Sequence, residues 1–511
     1  MQVTAPSVFL PTNTPVAPTN KITELNVTNT PPVVVDTTTD KVSIQQFREP
    51  PVTYDYTPVV LSGLRDSKPK GQAASAISQN LLSSLNSYGS GKSPLSISGM
   101  LNQVGSLSRE TTEFRNEARR VQVSREVAVK SPSPNFGVNT TSDNQSAHLS
   151  IKTKDGDTIN IEINHRKIGM DGSSLEFSFS VDGSLSEAEQ KALGELAEKL
   201  GQMGDEFFRS GTAELRNLKG IDTSVISGFN FTLMRPNEKG DFVEQSYEFS
   251  VDDTNQTQTL RASDVRGYSV DITTNLGTLV ETSTAEASIL EPYLELIRQA
   301  TDDARTDNRS RRFMLDAFES MFEQFITVQP SKTSDSATET TLAAFDSGLP
   351  DFTVSIRSKV VHNREFYSQA SSLVLTFSQE TRIESDADAT LVKQESRYEL
   401  TNNRFEGIFD LENPNITNPN YRYITEHREG NVSRMLSMKD DKVNNLLVEQ
   451  NVSSEKEVSK FSNYKLVDKD TDEYADRKLQ QFAEVLSTLN KNKQFSAVNE
   501  LLDDSKDNFF I

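Results

Sequence analysis

The chemistry open to this chain is narrow. Among 511 residues there is no cysteine, no tryptophan and only four histidines. Thiolate nucleophiles, disulfides, iron–sulfur clusters and cysteine zinc sites each need a sulfur atom that is not there, so all are excluded. Catalysis would fall to carboxylates, hydroxyls, lysine and imidazole. His148, His165, His362 and His427 lie far apart on strand-like stretches, with no His-X-X-X-His or His-Glu-X-X-His spacing to seat a metal on a helix. A pairing of His165 with a distant Asp and Ser would have to be assembled by the fold, and nothing in the order of residues selects one. The Gly-X-Ser-X-Gly elbow of hydrolases and the glycine pattern of dinucleotide binders are absent.

Three weaker patterns remain. Gly91-Lys92-Ser93 has the ending of a phosphate-cradling loop, but Asn86 stands where the first glycine belongs and Pro94 follows where a helix should continue. Asp468, Asp470 and Asp472 alternate as at the start of a calcium-binding loop. Glu473 then occupies the position of the turn glycine and Leu479 that of the bidentate carboxylate, so helix capping by Asp470 with Glu473 is the plainer expectation. Asp155, Asp157, Asp171 and Asp182 would form a cation site only if several converged in space, and Asp-Gly is good turn chemistry in its own right. No catalytic, cofactor-binding or metal residue is assigned from sequence.

The elements that would position such residues follow from composition and periodicity. Residues 1–70 are rich in Pro, Thr and Val, which predicts a disordered arm in which Val33-Val34-Val35 and Tyr54-Asp55-Tyr56 are short β-prone islands. Residues 71–130 predict helices: Ile77, Leu81 and Leu85, then Leu101, Val104 and Leu107, then Phe114, Ala118 and Val121, with the charges from Arg109 to Arg125 on a solvated helix face. Ser131-Pro132-Ser133-Pro134 closes that segment.

Residues 146–330 predict an α+β domain. Leu149 and Ile151, the turn Lys154-Asp155-Gly156-Asp157, and Ile159, Ile161 and Ile163 form a hairpin, with a third strand over 175–181. Ser186 with Glu189 is a capping box that opens a helix with the face Leu193, Leu196, Leu200, Met203 and Phe207. Strands near 229–233, 247–251 and 268–272 precede two more helices. The second bears Phe313, Met314, Ala317, Phe318, Met321, Phe322, Phe325 and Ile326, a stripe that suits either a core or an adaptable partner groove. A polar linker over 331–348 leads to residues 349–511. There alternating strands with one wet face precede helices over 470–489 and 495–502 and a terminal Phe509-Phe510-Ile511. Whether the two sheet regions are one sheet or two is open. The fold class expected is α+β, antiparallel sheets packed against amphipathic helices.

Net charge is −21, and it is uneven. Residues 1–140 hold 13 Lys/Arg against 10 Asp/Glu, so residues 141–511 carry 40 against 64. So acidic a body repels phosphate backbones and argues against nucleic acid as partner. The first residues lack the basic start and apolar run of a secretory signal, and no stretch approaches the ~20 apolar residues of a membrane-spanning helix. A cytoplasmic protein, or one exported without a cleaved signal, is expected.

Leu185-Ser186-Glu187-Ala188-Glu189-Gln190-Lys191-Ala192-Leu193, with Phe207-Phe208 and Gly228-Phe229-Asn230-Phe231, resembles an element of uncharacterised proteobacterial proteins. That resemblance implies a bacterial origin and brings no activity, cofactor or site residue. The composition, free of Cys and Trp and rich in Ser, Thr, Asn and Asp, is similar to that of flagellar and other exported appendage proteins. Together these observations lead to a non-enzymatic structural or protein-interaction protein, envelope- or secretion-associated, with a protein partner. The alternatives are a hydrolase built from carboxylates and one His, and a calcium-stabilised module.

Overall fold

A computed structural model describes residues 58–89, 93–124, 128–129, 142–168, 172–215, 221–278, 287–326, 349–362, 369–385, 389–407, 419–439, 442–489, 494, 497–498 and 501. They fall in one compact unit, from Tyr56 onward. Its frame is a single sheet of sixteen strands among the described residues, every pair antiparallel. Strand far outweighs helix, so the α+β expectation holds only in its coarser part, an antiparallel sheet packed against a few helices.

The strands are β1 (Val59–Leu64), β2 (Glu113–Val123), β3 (Ser142–Thr153), β4 (Thr158–Ile168), β5 (Gly172–Asp182), β6 (Ile226–Pro236), β7 (Phe242–Asp252) and β8 (Thr257–Ser263). There follow β9 (Ser269–Asn275), β10 (Asp351–Arg357), β11 (Val361–His362), β12 (Ala370–Ser385), β13 (Ala389–Glu406), β14 (Tyr421–Lys439), β15 (Lys442–Ser462) and β16 (Lys465–Gln481). Their spatial order is β1-β2-β5-β4-β3-β6-β7-β8-β9-β10-β12-β13-β14-β15-β16, with β11 on β12. From β6 onward the main path follows chain order, and its short connections can join only antiparallel neighbours; the exception in length is the link from β9 to β10, residues 276–350.

Register explains why this pattern of residues makes one sheet. Residues directly opposite share a face, and one transverse row runs Val181, Ile159, Ile151, Phe229, Phe249, Leu260, Ile272, Val354, Phe377, Tyr398. The adjacent row on the opposite face runs Ser180, Asn160, Ser150, Asn230, Glu248, Arg261, Asp271, Ser355, Thr376, Glu399, Glu429, Ser453. A slip of one residue in any strand would exchange the two rows, so burial of the first fixes pairing throughout.

Helices cover the apolar face: α1 (Gln72–Gly89), α2 (Ser98–Leu101), α3 (Val104–Glu110), α4 (Glu187–Ser210), α5 (Glu291–Asp303), α6 (Asn308–Ile326) and α7 (Ala483–Ser487). α1 lies on β2 and β5, α4 on β6, α5 on β12 and α7 on β15. The expected capping box is present: the Ser186 hydroxyl accepts from the Glu189 amide, and the Glu189 carboxylate accepts from the Ser186 amide at 2.7 Å. The stripe of α6 is core as far as Phe322, with Met314, Ala317, Phe318 and Phe322 inaccessible, and Tyr293, Phe318, Phe352 and Phe377 packing ring to ring.

The arm expected as disordered over 1–70 is ordered at its end, where Val59–Leu64 forms β1 on β2, and other expectations change with it. Residues 113–123 are a strand, not a helix: Phe114, Ala118 and Val121 fit a helical spacing by coincidence, while β2 pairs on both sides, with β1 and β5. Residues 465–481 are also a strand. The predicted helix over 470–489 begins only at Ala483, because β15 is long enough to supply a hydrogen-bonded partner for the whole preceding run. β8 was not anticipated, since Thr257–Ser263 buries only alternate residues of modest size. β14 runs unbroken from Tyr421 to Lys439, through Gly430. Strands on either side of the expected linker pair directly, β9 with β10, so the two sheet regions are one. The islands at 33–35 and 54–56, and Phe509-Phe510-Ile511, lie outside the described residues.

Candidate functional site

The open polar face is concave where it crosses β10 and β12 to β16. There it forms a cleft of about 770 Å³ lined by Thr353, Ser378, Arg397, Asn431, Asn451 and Arg477 along one row and by Thr376, Glu399, Glu429 and Ser453 along the next. Alternation along a strand puts both rows on the side away from the helices. The floor between them is the row from Phe377 to Asp476, whose side chains point the other way. Gly430 sits at its centre. A β-carbon there would come within 2.1 Å of the Tyr398 ring, so the glycine lets the ring lie flat over the strand on the helix side.

Two carboxylates hold the cleft wall in place. Glu395 accepts hydrogen bonds from Arg397 Nε at 2.9 Å and Asn431 Nδ2 at 2.6 Å. Partial burial pushes the Glu395 carboxyl upward, but those hydrogen bonds and the Arg397 charge overrule it and leave it below the usual range. Glu449 serves the other end, pairing with Arg477 at 2.8 Å and accepting from Asn451 at 3.3 Å. The basic and amide side chains are thereby oriented before any ligand arrives.

Glu399 and Glu429 are different. They stand directly opposite each other across β13 and β14, where like charges oppose folding. Neither makes an ion pair among the described residues, and Glu429 accepts only from the Ser453 hydroxyl, at 2.9 Å. A cationic group between them would relieve the repulsion.

None of the sequence candidates among the described residues lines this cleft. His165 is buried under α1, its ring edge-on to Tyr88 at 4.7 Å, with no hydrogen-bond partner on either nitrogen. Burial, aided by the Lys167 charge, lowers its pKa to about 4, so it is neutral at pH 7 and has no carboxylate to orient it. His148, His362 and His427 occupy β3, β11 and β14. Asp155 and Asp157 flank the turn Gly156, and Asp157 lies against Gly183 next to Asp182; Asp171 is outside the described residues. Asp468, Asp470 and Asp472 share one side of β16, and no group of three metal-ligating side chains occurs among the described residues. Asn86 is inside α1, and Gly91 and Lys92 are outside the described residues. Sequence reasoning missed the cleft residues because Ser, Thr, Asn and paired charges on a wet face give no signal until register aligns them across six strands.

A second charged cluster lies on the helix side. Arg404 binds Glu426 at 3.0 Å with both side chains nearly inaccessible, and Arg428 joins Glu426 to Asp303 of α5. Burial opposes ionisation of Glu426, yet the arginines hold its carboxyl below the usual range. It fastens α5 to β13 and β14.

No family model, no curated protein and no solved structure matches this chain. No helix among the described residues is long and apolar enough to cross a membrane.

Proposed function

We propose that this chain is a non-enzymatic structural or protein-interaction protein, that the cleft on the open face is where its partner binds, and that it serves a bacterial envelope or secretion apparatus. The observation that carries the reading is the pairing of Glu399 with Glu429 inside a cleft whose basic and amide side chains are already oriented. Two unneutralised carboxylates face to face favour a lysine or arginine of a partner, and the surrounding Thr, Ser and Asn side chains offer donors and acceptors for its polar backbone. The composition free of Cys and Trp, similar to that of exported appendage proteins, supports the location. A hydrolase centred on His165 finds no support, since neither nitrogen of that ring has an orienting partner.

The test uses a photo-crosslinking residue at position 451 in producing cells, fractionated into cytosol, envelope and medium. One discrete adduct with a protein of the envelope or medium is expected. The double substitution Glu399→Gln/Glu429→Gln should abolish the adduct while raising stability by about 0.2–1 kcal/mol through relief of repulsion. Turnover of a defined substrate by the purified protein, lost on substitution of a cleft residue, would replace this reading by an enzymatic one.

A further inference from the structure

β16 ends the sheet, and among the described residues no strand pairs with its outer edge. It is seventeen residues long and exposed on both faces, with Tyr474 49% and Leu479 58% accessible. A long edge of free amides and carbonyls invites another strand, and proteins blunt such edges with charge. Here the charges are not a uniform screen. They follow the order Asp472-Glu473-Tyr474-Ala475-Asp476-Arg477-Lys478, acidic before Ala475 and mainly basic after it.

A second copy approaching antiparallel, related by a two-fold axis perpendicular to the sheet, must place like faces side by side. With that axis at Ala475, Asp472 lies opposite Lys478 of the other copy and Glu473 opposite its Arg477, each pairing occurring twice by symmetry. Tyr474 falls opposite Asp476, Thr471 opposite Leu479, Asp470 opposite Gln480 and Lys469 opposite Gln481, so no like charges meet. Moving the axis one residue towards the N-terminus, to Tyr474, sets Asp472 against Asp476; moving it to Glu473 sets Asp470 against Asp476 and Lys469 against Arg477. One position towards the C-terminus, Asp476 meets itself.

We infer that β16 is a self-recognition edge, through which two copies join antiparallel about Ala475 into one continuous sheet. Ala475, Asp476 and Arg477 also close one end of the cleft. The same register therefore brings the two clefts together at the axis, as a single groove on the polar face of the dimer. The inference stands on edge and charge order and does not depend on which partner the cleft takes.

The experiment is light scattering on the full chain at micromolar concentration. The unaltered protein should have twice the chain mass. Asp472→Lys/Glu473→Lys and Arg477→Glu/Lys478→Glu should each be monomeric with unchanged far-ultraviolet circular dichroism, since each sets like charges opposite. An equimolar mixture of the two should recover the dimer mass, because one side of the axis is then charge-reversed and the other unaltered. Should the loss of the Arg477 pair with Glu449 disturb the second variant, D472K mixed with K478E carries the same test. A monomeric parent protein, dimers of either variant alone, or a mixture that stays monomeric would each overturn the inference.

Discussion

His165 shows what a single buried side chain costs when the fold gives it no partner. It is 1% exposed, its two ring nitrogens are unsatisfied, and its pKa is lowered to about 4 by burial and by Lys167. The unfolded chain therefore binds a proton first as pH falls. Stability from this group is complete above its ordinary pKa of 6.5 and is lost as pH drops from there to about 4. The shift corresponds to about 3 kcal/mol at the acid end. His165→Leu should remove that part of the acid sensitivity: urea midpoints at pH 7 and pH 4.5 should lie closer together in the variant than in the parent. Equal spacing in both would refute the assignment. The histidine itself was visible in the sequence, but its role was not. In the structure it continues the row of Ile161 and Ile163 on β4, and α1 with Tyr88 makes it inaccessible.

At the scale of elements, α4 was the most legible part of the chain. Its capping box and apolar face are local signals, set by spacing along one helix, and both were found as expected. What the spacing did not disclose is how α3 rests on it. Gly105 and Gly194 meet backbone to backbone, and a β-carbon at Gly105 would lie 2.9 Å from the Gly194 Cα and 3.0 Å from the Gln190 carbonyl. Gly105→Ala would gain up to about 1 kcal/mol of helix propensity. Overpacking against a backbone that cannot rotate away costs typically 1–3 kcal/mol and should win. A net loss is the expected outcome of denaturant unfolding, and a gain would mean that α3 and α4 are not in this contact. β16 is the opposite case. With both faces wet it has no hydrophobic period to find, and Leu479, Phe482, Leu486 and Leu489 imitate a helix although the first belongs to a strand.

For the whole molecule, the main buried core runs from Ala73 to Val498 on the helix-covered face of the sheet, and a small second cluster of Phe405 and Tyr421 lies apart from it. Because β9 and β10 are hydrogen-bonded neighbours, nothing in the backbone separates the regions before and after residues 331–348. Thermal unfolding of the described unit should then be one transition, coincident in far- and near-ultraviolet circular dichroism; two transitions would divide the sheet after all. Legible in the residue order alone were the missing sulfur chemistry, the acidic body, most of the inner-face residues and the helices that bear their own caps and stripes. These are properties of composition or of neighbours within a few positions. Tertiary structure alone decided that the strands make one sheet, that 113–123 and 465–481 join it, and that Glu399 meets Glu429 in a cleft. Each of those depends on register between segments distant in the chain. Register is selected by the burial of the entire apolar face at once, which no local window of sequence contains.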